Sequence, residues 1–183
     1  INSSVDGGNL SIAAIGETLI DQGLSRDYTS ARLNSKFSFT YGRVDVRAQM
    51  PPEAGTWPAI WMLSTTINED GAYWQQKGLG TTTWPDCGEI DIMEHWGHNQ
   101  DFVQSAVHNK ASYGHDVVNL GGQKIKDASE EFHIYSLVWT DEKLTFSVDD
   151  IEHYEYNPKD KNTDNWPFDN DQYFLFNIAI EST

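Results

Sequence analysis

Residues 42–50 read G-R-V-D-V-R-A-Q-M, and their alternation is the clearest indication of the fold class. Val44, Val46, Ala48 and Met50 alternate with polar residues, so they fall on one face of an extended chain. Such alternation is typical of a β-strand with one face buried and the other in solvent. The chain shows no long repeat of helical period.

Further strands are predicted on both sides of this stretch. They cover residues 9–15, 32–39, 132–140, 144–148 and 173–180. Acidic turns at residues 141–143 and 149–150 would join the strands around 132–156 into hairpins. Many short strands joined by turns predict an all-β sandwich of two antiparallel sheets.

Three segments, 64–88, 109–123 and 157–171, have the composition of loops. The first is long and carries Tyr73, Trp74 and Trp84. Long loops inside compact domains usually have a function, so this one is expected to lie near a site.

The composition limits the classes of partner. The 183 residues include 28 acidic and 12 basic side chains, for a net charge of −16. This charge disfavours nucleic acid and anionic membranes and fits a neutral polymer best, although plain solubility also explains it. No apolar run reaches the length of a membrane-spanning helix. Cys87 is the single cysteine, which excludes an intrachain disulfide and is expected to be a buried filler.

Residues 88–95, G-E-I-D-I-M-E-H, carry the candidate chemistry. Three acids within six residues of an apolar strand repel one another, which destabilises the fold. Clusters of this kind are found mostly at functional sites, where the repulsion shifts the pKa values of the acids. In a flat strand, Glu89 and Asp91 share one face and Glu94 points to the other. A β-bulge at Ile92 and Met93 would bring all three acids together, whereas a regular strand would leave Glu94 on the back.

Two carboxylates that face a sugar make a glycosidase. A retaining enzyme holds them about 5–5.5 Å apart, one as the nucleophile and the other as the acid and then the base.

Residues 88–94 resemble the signature of glycoside hydrolase family 16 in its bulged E-x-D-x-x-E form, which is typical of laminarinases. The bulge-free form is typical of bacterial lichenases. Four more segments resemble family motifs, in the same order: Y-T-S-A-R-L at 28–33, G-T-W-P-A-I-W-M-L at 55–63, V-H-N-K-A at 107–111 and F-N-I-A-I at 176–180.

The resemblance implies a jelly-roll β-sandwich with a concave substrate cleft, and retaining endo-hydrolysis of β-1,3-glucan. It gives Glu89 the role of nucleophile and Glu94 that of acid/base, with Asp91 between them as a hydrogen-bonding partner of the nucleophile. It implies catalysis without a cofactor, a monomeric protein and a secreted, extracellular or periplasmic location.

Six further residues are predicted to bind substrate. Trp57, Trp61 and Trp96 offer indoles on which sugar rings stack, with core packing as the alternative. Three residues with polar side chains complete the set. Arg32 and Asn177 are predicted to donate to sugar hydroxyls, with a surface salt bridge and an interior amide bonded to the backbone as the alternatives. The resemblance places His108 near the nucleophile or the substrate, whereas a lone strand histidine would otherwise be a core residue. Trp139 alternates with core residues and is expected to be structural. No metal site is predicted, because His95, His98 and Glu94 lack the spacing of zinc ligands.

Residues 1–183 are interpreted as a single catalytic domain that lacks the terminal strands usual in the family. Structural calcium is compatible with the resemblance, but the segments that usually carry its site are absent. Three alternative functions remain: a hydrolase of mixed-linkage β-1,3-1,4-glucan or galactan within the same family, a non-catalytic β-glucan-binding module, or transglycosylation, in which a sugar replaces water as the acceptor.

Overall fold

The computed structural model describes residues 1–181. Within that range the chain forms fourteen strands, one helical turn, α1 (Tyr73–Gln76), and two short 3₁₀ turns. The strands are β1 (Ser3–Asp6), β2 (Asn9–Ile12), β3 (Ile15–Asp21), β4 (Leu24–Thr29), β5 (Arg32–Phe39), β6 (Gly42–Ala48), β7 (Thr56–Ser64), β8 (Glu89–His95), β9 (Phe102–His108), β10 (Leu120–Lys124), β11 (His133–Trp139), β12 (Leu144–Val148), β13 (Ile151–Tyr156) and β14 (Gln172–Ile180).

Two antiparallel sheets form the body of the molecule. A six-stranded sheet has the order β10-β9-β8-β7-β14-β5, and a four-stranded sheet has the order β13-β12-β11-β6. The remaining strands form two separate hairpins, β1–β2 and β3–β4. This arrangement confirms the predicted all-β sandwich.

Regular alternation builds the four-stranded sheet. In β6, Val44 is buried while Arg43 and Asp45 are exposed. In the neighbouring β11, Leu137 and Trp139 are almost fully buried. Burying one such side chain contributes about 1.5–3 kcal/mol to stability, which fixes the face that each strand turns inward. Trp139 therefore lies in the core, as predicted.

The main core lies between the two sheets. The six-stranded sheet supplies apolar side chains from its central strands, and the four-stranded sheet supplies aromatic and aliphatic side chains opposite them. The most buried members include Met62, Ile90, Met93, Val107, Tyr135, Leu137, Leu144 and Phe146.

A second, smaller apolar cluster covers part of the outer face of the six-stranded sheet. It joins Leu63, Tyr173 and Leu175 of that sheet to Ile67 and Cys87 of the 64–88 segment. Cys87 is 2% exposed, so it is a buried filler, as expected. This cluster holds the long aromatic segment against the sheet.

Two predictions about secondary structure are wrong. The 109–123 segment is not entirely loop, because Leu120–Lys124 forms the edge strand β10 beside β9. The predicted strand at 9–15 is divided, since β2 ends at Ile12 and β3 begins at Ile15. Across residues 1–181, no helix is long and apolar enough to cross a bilayer.

Candidate active site

The strand β8 contains the predicted bulge. Its pairing with β7 joins Trp61 to Asp91 and Ile60 to Met93, which leaves Ile92 as an extra residue. The pairing with β9 shifts by one residue over the same stretch. The extra residue shifts the alternation of side chains by one position. Glu94 therefore points to the same face of the sheet as Glu89 and Asp91.

The two glutamates each receive an indole hydrogen bond on this outer face. Trp57 Nε1 donates to Glu94 Oε1 at 3.1 Å, and Gln104 Nε2 donates to Glu94 Oε2 at 3.4 Å. Trp84 Nε1 donates to Glu89 Oε2 at 3.0 Å. Each donor stabilises the ionised form of the carboxyl that it contacts.

His108 lies beside the first two acids. Its Nε2 is 3.1 Å from Asp91 Oδ2 and 3.7 Å from Glu89 Oε1. Its Nδ1 accepts the backbone N–H of Gly114 at 3.2 Å, so a neutral ring carries its proton on Nε2. The contact with Asp91 is close, but the ring N–H is not aligned as a hydrogen bond, and Asp91 Oδ2 has no other partner among residues 1–181.

Burial raises the pKa of all three carboxyl groups. Burial and the neighbouring Asp91 raise the pKa of Glu89 to about 8. Burial and then Glu94 hold the pKa of Asp91 well above its usual range. Burial also raises the pKa of Glu94, against the opposing effects of His108, Gln104 and Trp57. Three buried charges repel one another, so an ionised Glu89 requires that its neighbours carry protons.

Part of the cleft is a cavity of about 360 Å³ beside Glu89. Its wall includes Arg32, Trp61, Glu69 and Trp84. A larger cavity, of about 570 Å³, lies between the β1–β2 hairpin and the sheets. None of the three carboxylates lines that larger cavity, so the chemistry belongs to the smaller one.

Two predicted substrate-binding residues of this wall, Arg32 and Trp61, lie against each other, and Trp61 also contacts a third predicted residue, Asn177. Trp61 Nε1 donates to Asn177 Oδ1 at 2.7 Å. The Arg32 guanidinium lies 5.2 Å from the centre of the Trp61 ring and pairs with Glu69 at 3.0 Å. The result is a flat aromatic surface with charged and amide groups at its edge, which suits a sugar ring.

Trp57 and Trp96 form a second aromatic surface, next to Glu94. Their rings stack with centroids 5.8 Å apart and planes 27° apart. Trp57 is 37% exposed, so part of its ring is available to a ligand. The pairing of Ala59 with Glu94 puts Trp57 and Trp61 on the same face of β7.

Sequence reasoning missed four residues of the site, all with polar or aromatic side chains: Glu69, Trp84, Gln104 and Tyr113. Trp84 belongs to the 64–88 segment, whose length and aromatic composition predict that it lies near a site but do not single out Trp84. Tyr113 packs edge-on against Trp84, with ring centroids 5.4 Å apart. For Gln104 and Glu69 no local pattern distinguishes them from ordinary surface residues.

The loose set of His95, His98 and Glu94 is not brought together. His95 is fully buried and its Nε2 contacts Gln100 O at 3.0 Å, while His98 pairs with Glu181. A different set, Glu89, Asp91 and His108, places one potential ligand atom each within 4.8 Å of one another. These are the residues that the acid cluster already uses.

Comparison with known proteins agrees with this geometry. The model of "Glycosyl hydrolases family 16" matches residues 4–178. A beta-glucanase from Rhodothermus marinus is 42% identical over 98% of the chain. The chain spans 60% of the length of that relative.

Solved structures show the same fold. A variant of LamA from Z. galactanivorans, in complex with laminaritriose and laminaritetraose, superposes with a TM-score of 0.87 at 41% identity, covering 100% of this chain and 72% of that one. The laminarinase from Rhodothermus marinus superposes with a TM-score of 0.82 at 39% identity, covering 100% of this chain and 70% of that one. The predicted jelly-roll class is confirmed.

Proposed function

Because the chain belongs to glycosyl hydrolases family 16, we propose that it is a retaining endo-hydrolase of β-1,3-glucan. One observation carries the proposal: the bulge at Ile92 turns Glu94 to the same sheet face as Glu89 and Asp91. A regular strand would bury Glu94 between the sheets, where it could reach no sugar.

In the first step, Glu89 attacks the anomeric carbon from below while Glu94 gives its proton to the departing glycosidic oxygen. A C–O bond forms to Glu89, the glycosidic C–O bond breaks, and the shortened chain leaves as an alcohol. Trp84 and His108 favour the ionised form of Glu89 that this attack needs.

In the second step, Glu94 removes a proton from water, which attacks the anomeric carbon and releases Glu89. The ester formed by Glu89 is neutral, so part of the repulsion that kept Glu94 protonated is gone. Trp57 and Gln104 donate to Glu94 and favour its ionised form. One residue thus serves as acid and then as base.

Asp91 is proposed to tune both glutamates. It lies between them on β8, is 3% exposed and keeps an oxygen free of hydrogen bonds within residues 1–181. A proton held on Asp91 would be available to share with Glu89. The reaction as written needs no cofactor.

A neutral β-1,3-glucan is the proposed substrate because the net charge of −16 disfavours anionic polymers. The similar LamA structure holds laminari-oligosaccharides, which supports the linkage. A polymer too large to enter a cell must be cut outside it, so we propose a secreted, extracellular or periplasmic location. Residues 1–183 are proposed to act as one monomeric catalytic domain, of which 182–183 lie outside the described part.

The deciding experiment is a digest of laminarin with sizing of the products over time, beside the Glu94→Ala variant. Endo-hydrolysis predicts a range of oligosaccharides early in the reaction from the wild-type protein. Parallel digests of lichenan and agarose test the related hydrolase activities. Laminarin that is bound but not cut by the wild-type protein would favour the binding-module alternative and overturn this proposal.

A further inference from the structure

Ser105 of β9 is the residue that faces the bulge from the neighbouring strand. Ala106 pairs with Asp91 and Gln104 pairs with Glu94, so Ser105 alone stands opposite Ile92 and Met93. Two other residues of β9, Gln104 and His108, contact the acids on the outer face. Ser105 is 1% exposed and alternates with Gln104, so its side chain points between the sheets.

The Ser105 hydroxyl is bonded to the bulge itself. Ser105 Oγ donates to the carbonyl oxygen of Ile92 at 2.7 Å. A carbonyl oxygen only accepts, so the single hydroxyl proton of Ser105 is committed to this bond. The bond holds the backbone of the extra residue, two positions before Glu94.

His153 of the opposite sheet completes the arrangement. Its Nε2 lies 2.9 Å from Ser105 Oγ, and it must donate there because the Ser105 proton is already used. In the pairing of β12 with β13, Phe146 faces Tyr154 and Ser147 faces Glu152, so His153 is itself the extra residue of a second bulge. Burial lowers the pKa of His153, which agrees with a neutral ring protonated on Nε2.

We propose that Ser105 and His153 are positioning residues that fix the β8 bulge and thereby aim Glu94. Neither touches the cleft face, so both act through the Ile92 backbone. A slip of the pairing by one residue would move side chains to the other face of a sheet, and a bulge lacks the regular ladder that prevents this. A side-chain bond to the bulge carbonyl, supported from the second sheet, supplies that missing restraint.

The inference rests on the proposed glucanase activity, and it makes a prediction that a purely structural role does not. Glu89 lies before the bulge and Glu94 lies after it. Loss of the Ser105 hydroxyl should therefore disturb protonation of the leaving group and leave nucleophilic attack intact. Misplacing a reacting group by about 1 Å costs on the order of 100-fold in rate.

The test compares Ser105→Ala with Ser136→Ala, an equally buried serine of β11 whose Oγ donates to Asp45 Oδ1 at 2.6 Å. Each variant is assayed on laminarin and on an aryl β-laminaribioside whose dinitrophenolate leaves without protonation. For Ser105→Ala we expect kcat/KM on laminarin to fall roughly 10- to 100-fold and kcat/KM on the aryl substrate to stay near the wild-type value. Ser136→Ala should leave both values unchanged.

Two further variants keep the test decisive. Ser105→Thr retains the hydroxyl and should restore activity on laminarin. His153→Phe removes the donor to Ser105 and should also lower kcat/KM on laminarin more than on the aryl substrate, by a smaller factor than Ser105→Ala. This variant replaces Ser105→Ala in the test if that protein does not fold. Equal losses on both substrates, or a Ser105→Ala variant that behaves like Ser136→Ala, would overturn the inference. A wild-type protein without activity on either substrate would instead reject the proposed function.

Discussion

The strands β8 and β11 lie inside opposite sheets and follow different rules. In β11, successive side chains point to alternate faces without interruption. Tyr135, Leu137 and Trp139 all enter the core, and Ser136, although also buried, lies on the opposite face. In β8, the alternation breaks at Ile92, and both Ile92 and Met93 are buried. The regular strand contributes packing alone, whereas the interrupted strand contributes packing on one face and three acids on the other.

The comparison predicts opposite consequences for substitutions in the two strands. Glu89→Ala should lower the rate on laminarin by at least about 10⁴-fold, since no nucleophile remains, with little loss of stability. Leu137→Ala should cost about 2–5 kcal/mol of stability and leave the rate per folded molecule unchanged. Enzyme assays and urea unfolding of both variants check this; an active Glu89→Ala protein would reject the assignment of the nucleophile.

Deleting one residue from each strand tests whether side-chain alternation decides which face each residue occupies. Removal of Met93 leaves Glu94 two positions after Asp91, so regular alternation would keep all three acids on the cleft face. This variant should fold, with a loss of about 2–5 kcal/mol for the missing core side chain. Removal of Ser136 would turn Leu137 and Trp139 outward, and that variant should not fold. Circular dichroism and thermal unfolding of the pair distinguish the outcomes.

The acids of β8 should also make stability depend on pH. Unfolding returns Glu89 from a pKa of about 8 to its ordinary 4.5, so the folded state loses stability as pH rises between these values. Glu89→Gln removes the contribution of Glu89 to this dependence and should be more stable than wild type above about pH 8. The expected gain is about 5 kcal/mol, because the two pKa values differ by about 3.5 and one pKa unit corresponds to about 1.4 kcal/mol.

The gain from Glu89→Gln should disappear below the ordinary pKa of glutamate, where both states carry the proton. Urea unfolding across this range measures it. Glu131→Gln, at an exposed position of the surface, controls for the change in net charge. A gain that is the same at all pH values would contradict the buried-acid explanation.

The smallest expected effect concerns the two tryptophans that donate from β7 and β11. Trp57→Phe removes the N–H that Glu94 accepts, which raises the pKa of Glu94 and shifts the alkaline limb of the pH profile upward. A rate loss of about 10-fold is expected. Trp139→Phe removes a donor to Phe168 O in the core and should change stability without moving the profile. Profiles of kcat/KM against pH compare them.

The sequence was most informative where a pattern was regular or where it broke. Alternation in residues 42–50 predicts β6. The odd spacing of Glu94 after Asp91 is compatible with both a bulge and a regular strand; the family resemblance favours the bulge, and the strand pairing confirms it. The acids stand out in the sequence because carboxylates do not stabilise an apolar strand, which indicates a functional role. Their catalytic roles come from the family resemblance and stay predictions.

The errors have physical causes. The composition of residues 109–123 predicts a loop where β10 lies, because Gly121 and Gly122 offer no side chains to alternate. A Cβ on Gly121 would lie 2.7 Å from Tyr154 Cβ, and one on Gly122 would lie 2.4 Å from Val103 O, so close packing demands glycine there. Trp84 and Gln104 reach the acids through tertiary contacts, which no local pattern encodes.

The buried thiol of Cys87 gives the molecule an internal reporter. Burial and the charge of Glu89 raise the pKa of this thiol to about 12, so at neutral pH it is neither ionised nor reachable by a maleimide. Labelling must wait until the segment that carries Trp84 lifts from the outer sheet face. Since the chain has one cysteine, the rate of labelling reports how readily this segment opens. A bound oligosaccharide that holds the cleft closed would lower that rate.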